Sequence, residues 1–287
     1  MGSVVLWRSV ILQYEELERK INLKVRQTSC ATVSFAELAS ANVVGYNTVT
    51  ISKKYNILAV NFAPVDGSDS ISLQELFPYT EGNGMTAGGS SSAADSVQIM
   101  QDDGSLIAYH LSNGKVGRNT YEDLVGKWAK GTETVPTEVK VKNGQAFWYI
   151  SQNGETTPYT LTVAGQVAMT TSETLDLTKV YNHIGSPYPV DVPLNDCVKV
   201  TNGTLGGSSA AADNIQIYQN DGSLVAYHLS NGKVGRNTYE KLIGKWAQGT
   251  ETEPTTAVIP VGRGAWFISQ NGASKVEILN PTSVSAE

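Results

Sequence analysis

Around residues 96–101 apolar and polar side chains alternate, with Val97 and Ile99 on one face. A two-residue period predicts a half-buried strand over 96–101. Asp102-Asp103-Gly104 then reads as a hairpin turn, because glycine accepts positive φ without steric cost. Residues 106–111 return as the partner strand, and Ser112-Asn113-Gly114 is a second turn. Beyond it the period lengthens. Tyr121, Leu124, Val125 and Trp128 have helical spacing, Asn119 or Thr120 is placed to cap, and Gly131 to terminate. A second hairpin is expected from 139–141 and 146–150 around Asn143-Gly144, and a last strand over 159–163 after Pro158.

The whole pattern occurs twice. Ala94 to Gly154 recurs as Ala212 to Gly272 at a constant offset of 118 (213 − 95), without a gap. Between Gln101 and Pro136 only positions 102, 107, 123, 125, 130 and 135 differ from the second copy. A repeat this long is a duplicated domain, not a solenoid unit. The chain is therefore expected to be all-β. It would hold two tandem homologous sandwich- or barrel-like domains, 36–163 and 164–287, each with one short helix.

The opening third of each copy has diverged. In the first, strands are expected near 48–52 and 57–62, a turn at Lys53-Lys54, and a helical turn at Glu75-Leu76-Phe77 after Ser72. Thr86 to Ser92 reads as a flexible glycine-serine loop. In the second, Tyr181-Asn182 echoes Tyr55-Asn56, and Pro187, Pro189 and Pro193 stiffen the loop that follows.

Residues 1–35 match neither copy. Tyr14, Leu17 and Ile21 have helical spacing; Leu23 and Val25 then alternate with Lys24 and Arg26 as in a strand. Two readings follow: a flexible leader with some helix, or a docking arm that adds a helix or strand to a neighbouring subunit.

Composition narrows the classes. Charged residues make up 17% of the 287, which with abundant Gly, Ser and Thr favours strands and tight turns. Residues 1–35 carry +2 (5 − 3) and the remainder −8 (16 − 24). An acidic body argues against a nucleic-acid partner. No apolar run is long enough for a membrane span, and the N-terminus does not read as a signal peptide. Cys30 and Cys197 are not repeat equivalents, and both a single disulfide and two free thiols are open to them.

No catalytic constellation is legible, and neither a cofactor nor a metal is expected. His110 and His228 are repeat equivalents without ligand partners at a working spacing, and read as strand histidines facing solvent or a hydrogen-bond partner. Asp102-Asp103-Gly104 lacks the twelve-residue pattern of a calcium loop. Gly114-Lys115-Val116-Gly117-Arg118-Asn119-Thr120 does not meet the phosphate-loop order, and the Gly-Gly-Ser-Ser stretches have no nucleophile elbow. Aromatics offer more: Trp128 and Trp246 are either core rings or a platform for sugar rings. The copies also share polar positions that packing does not demand. Lys115, Arg118, Asn119 and Tyr121 recur as Lys233, Arg236, Asn237 and Tyr239, which makes them a candidate interaction face; recent duplication would leave the same identity.

Several short motifs resemble exported bacterial proteins of uncharacterised function. These are Val43–Tyr46, Tyr55-Asn56, Trp128, and Gly144 with Phe147-Trp148. The second copy supplies Tyr181-Asn182, Trp246, and Gly262 or Gly264 with Trp266-Phe267. The resemblance covers residues 40–280 and implies export and a β-rich fold, with no catalytic residues to carry over. The expected role is a non-enzymatic extracellular or cell-surface structural protein, self-assembling as a filament or lattice subunit. Its arm would be Tyr14, Leu17, Ile21, Leu23 and Val25. The alternative is a secreted glycan-binding module or adhesin.

Overall fold

The structure, a computed structural model, describes residues 43–101, 103–177, 180–219 and 221–284. Asn42–Glu287 forms one compact unit that holds both repeats. The first repeat comprises β1 (Val44–Ile51), β2 (Tyr55–Ala59), β3 (Ser70–Ser72), β4 (Ser96–Met100), β5 (Leu106–Val116), β6 (Asn119–Lys130), β7 (Lys140–Lys142), β8 (Ala146–Ile150) and β9 (Tyr159–Gln166). Its main sheet has the order β2-β8-β4-β5-β6, with the pairs β1-β9 and β3-β7 beside it.

The second repeat follows with β10 (Ser172–Asp176), β11 (Tyr181–Gly185), β12 (Val192–Pro193), β13 (Val198–Thr201), β14 (Asn214–Tyr218), β15 (Leu224–Leu229), β16 (Lys233–Val234), β17 (Asn237–Thr238), β18 (Trp246–Gln248), β19 (Val258–Ile259), β20 (Gly264–Ile268) and β21 (Lys275–Leu279). Its main sheet, β11-β20-β14-β15-β18, reproduces the first in order. The chain is all-β and sandwich-like; among the described residues no sheet closes into a barrel. β9 runs through residue 163, where one repeat was expected to end, and finishes at Gln166.

The DG and NG turns form where local chemistry places them: Gly104 and Gly144 take φ of 84° and 78°. Ser72 caps the short helix Leu73–Leu76 in a capping box with Glu75, so the expected helical turn is present and begins two residues earlier. Its counterpart is Leu194–Cys197, and a third short helix is Pro281–Val284.

The helix expected from Asn119 to Gly131 is absent. In the first repeat these residues are strand β6; in the second they are β17, the 3-10 turn Glu240–Leu242 and β18. Gly126 and Gly244 sit at φ 70°, in the left-handed region, which breaks an α-helix. A free helix of this length is marginal in any case. The ladder with β5 wins instead. Lys115 lies opposite Thr120 and Asn113 opposite Val125, so β6 carries three extra residues in a bulge. Leu124 and Trp128, four residues apart, are both buried, a spacing that strand and helix share, whereas Val125 is exposed.

Each repeat has its own core. One gathers Ile51, Phe62, Leu73, Phe77, Leu111, Trp128, Phe147 and Tyr149. The other gathers Ile184, Tyr188, Leu194, Ile215, Trp246, Phe267 and Ile278. Between them lies a third cluster, Ile57, Ala59 and Ala146, against which Trp148, Tyr218 and Trp266 pack. Four of the five β2 residues are buried, since one face serves the first core and the other this junction. Arg263 of the second repeat donates to Asn56 Oδ1 (2.9 Å) and to the Thr50 carbonyl (2.6 Å) of the first. A Cβ on Gly185 would lie 2.3 Å from that of Ala59, so the approach of the repeats demands glycine there.

Candidate interaction surface

The repeated polar face is a β-hairpin. At its base, Gly88 donates to the Leu111 carbonyl and accepts from Asn113 N–H; Gly206 does the same with Leu229 and Asn231. The glycine-serine loop expected to be flexible is therefore tied to the hairpin in both repeats. A Cβ on Gly88 would meet the Ala93 carbonyl at 2.5 Å, which explains a glycine there. Above it, Ser112 Oγ accepts from Gly114 N–H and Asn113 Oδ1 from Lys115 N–H, at 3.0 and 3.1 Å. Ser230 and Asn231 repeat both bonds at 3.0 Å. In the first repeat Ser112-Asn113-Gly114, expected to be a turn, lies inside β5; these side-chain bonds sit where the strand's register shifts, between Leu111 and Lys115.

The hairpin closes at Val116–Asn119 and Val234–Asn237, with Gly117 and Gly235 at φ 61° and 62°. Lys115, Arg118 and Asn119 are exposed, as are Lys233, Arg236 and Asn237; Tyr121 and Tyr239 are half-buried. The structure thus brings together the eight residues singled out from sequence as two matching groups of four. Among the described residues none of the four cations has a carboxylate partner, whereas Lys241 pairs with Glu253. Val125 and Ile243, at equivalent positions, add an exposed apolar side chain to each hairpin.

Trp128 and Trp246 are core. They are 0% and 1% exposed, and their indole N–H groups donate to the Phe77 and Val198 carbonyls, both at 3.0 Å. Burial removes them as a sugar platform. Their main chain lies on the outer strand of each sheet, where a side-chain amide covers it. Gln74 donates to the Trp128 carbonyl and accepts from its N–H; Asn195 does the same for Trp246.

His110 and His228 are buried, not solvent-facing, and burial pushes both pKa values down. His183 stands between Trp148 and Trp266, and burial pushes it down to about 4. Neither ring nitrogen has a partner among the described residues. Cys197 is free and buried, and burial raises its thiol pKa. Cys30 and the arm residues Tyr14, Leu17, Ile21, Leu23 and Val25 lie outside the described residues.

Sequence reasoning missed Asp95 and Asp213, both fully buried. Asp95 Oδ1 accepts from Gln152 N–H at 2.7 Å, and Oδ2 from the Tyr149 and Tyr159 hydroxyls at 3.0 and 2.6 Å. Burial, with the carboxylate's charge, drives both tyrosine pKa values up. Asp213 accepts from Gln270 N–H and the Ser274 hydroxyl, at 2.7 and 2.6 Å. The carbonyls of Asp95 and Asp213 accept from Leu111 and Leu229 N–H, next to the hairpin base. The available signal was an Ala-Asp pair retained in both copies.

Comparison with protein-family models, with curated proteins and with solved structures finds no match to this chain.

Proposed function

We propose that the chain is a non-enzymatic structural protein that self-assembles through its repeated hairpins, with the N-terminal segment as a docking arm. The observation that carries this reading is the pair of matching exposed hairpins, each offering two cations without a carboxylate partner among the described residues, an asparagine and an apolar side chain. Core packing constrains apolar positions and leaves such a polar tip free to drift. Two like surfaces on one subunit suit head-to-tail contacts, which build open filaments or lattices. Placement outside the cell or on its surface rests on the resemblance to exported proteins.

Negative-stain microscopy and sedimentation of the purified chain test the reading. Polymers are expected; a monomer at all accessible concentrations would sink it. The glycan-binding alternative shifts from the buried tryptophans to Tyr55 and Tyr181. These exposed rings occupy equivalent positions and pack edge-on against Trp148 and Trp266. A glycan array on the chain and on Tyr55→Ala and Tyr181→Ala variants separates the two.

A further inference from the structure

Among the described residues the second repeat has a strand without a counterpart in the first. β13 lies on the outer edge of β21, with Val198 opposite Ile278 and Val200 opposite Val276. In the first repeat the corresponding strand, β9, pairs among the described residues with β1 and, at its end, through the single bridge Gln166–Ala63. Two anchors set the correspondence. The indoles of Trp128 and Trp246 donate to Phe77 and Val198, and the hydroxyls of Tyr159 and Ser274 donate to the buried aspartates. Phe77-Pro78-Tyr79-Thr80 therefore stands where Val198-Lys199-Val200-Thr201 forms β13. Pro78 has no N–H to give a ladder, and Tyr79 packs on Gly126 instead.

The outer edge of β9 is thereby left open over Thr160, Thr162 and Ala164, all exposed. Gln166 exchanges both main-chain bonds with Ala63 on that side. The two-residue period then points the main-chain groups of 164, 162 and 160 the same way. Among the described residues those three have no main-chain partner there. Such an edge is a template for one more strand.

We propose that this edge takes the strand-patterned segment Leu23-Lys24-Val25-Arg26 from the arm of a second copy, by strand addition. The inference rests on the self-assembly reading above and names the surface that receives the arm. Charge favours it: residues 1–35 carry +2 (5 − 3) and the remainder −8 (16 − 24). Reach favours it too. The residues between Arg26 and Val43 span roughly 55 Å when extended, enough to cross to a neighbour.

The test compares the full chain with Thr162→Pro and Val25→Pro by light scattering across a concentration series. Proline is tolerated on an edge whose N–H faces outward, so Thr162→Pro keeps its fold while blocking the added strand. An unchanged unfolding midpoint checks this. The full chain is expected to rise above 30.7 kDa, with both variants at least tenfold weaker in association. Should Thr162→Pro fail to fold, a mixture of Val25→Cys and Thr162→Cys chains, each carrying Cys30→Ser, should form a disulfide between copies; no such cross-link overturns the proposal. Assembly undiminished in Thr162→Pro overturns the edge and leaves the self-assembly reading standing. Loss in Thr162→Pro but not in Val25→Pro overturns the arm as occupant. A monomeric full chain overturns the self-assembly reading itself.

Discussion

Trp148 and Trp266, one repeat length apart in sequence, meet edge to face with ring centroids 6.0 Å apart. Each is flanked by a tyrosine from the neighbouring strand of its own repeat, Tyr55 or Tyr181. The repeats are thus joined through copies of the same residues. Replacing either tryptophan by alanine should cost about 2–4 kcal/mol, less than a fully buried ring because both are partly exposed. A double-mutant cycle in urea should return a coupling of about 0.5–1.5 kcal/mol. Strict additivity would mean the rings touch without stabilising the junction.

His183 makes this junction sensitive to acid. Its pKa is held near 4 in the folded chain, against about 6.5 when unfolded. Between those values the unfolded chain takes up a proton that the folded chain refuses. Stability is therefore complete above pH 6.5 and falls as the pH drops towards 4, by up to about 3 kcal/mol. His110 and His228 shift in the same direction and add to the slope. Lys142 and Glu173 line the cleft beside His183. The first repeat has Ile57 at the corresponding position, so His183→Ile should flatten the curve between pH 4 and 6.5. Chemical denaturation at several pH values measures it, and an unchanged slope would assign the effect to the other two histidines.

Asp95 and Asp213 are buried carboxyl groups held, among the described residues, by hydrogen bonds. Asp95→Ala or Asp213→Ala should each cost about 3–5 kcal/mol, the penalty for leaving buried donors unpaired. The loss should be larger at Asp95, which receives two hydroxyls and an N–H, than at Asp213, which receives one of each. Thermal unfolding ranks the pair, and a larger loss at Asp213 would contradict the geometry.

Gln74 and Asn195 cover the outer edge of each main sheet. Alanine at either leaves a tryptophan N–H and carbonyl with fewer partners, at about 1–3 kcal/mol. Gln74→Asn, one methylene short, should recover little. Denaturant midpoints read the difference.

Arg118→Glu with Arg236→Glu changes only exposed side chains without a carboxylate partner among the described residues. Stability should stay within about 0.5 kcal/mol of the parent, while self-association is lost. Circular dichroism with sedimentation separates the two effects. Assembly that survives both reversals would remove the hairpins from the contact.

Much of the fold was legible because its chemistry is local. The DG and NG turns, the alternation of β4, and the Ser72-Glu75 box each depend on a few neighbouring residues. The run from Asn119 to Gly131 has helical spacing but forms strand and turn, because its pairing with β5 depends on a partner strand that local spacing does not show. The support of the site was hidden for a different reason: Asp95 meets Gln152 and Tyr159 across 57 and 64 residues. Nothing in sequence distinguished Trp128, sealed in one core, from Trp148, placed where two repeats meet.

Sequence alone settled that one long stretch was written twice, polar positions and tight turns included, since duplication and turn chemistry are properties of order along the chain. Tertiary structure decided which rings are core, which loop is tied down, and where a strand is missing. Those outcomes depend on what approaches from distant parts of the chain. Pro78 shows the boundary between the two: its missing N–H is visible in the sequence, but only the pairing of β21 with β13 shows what β9 lacks.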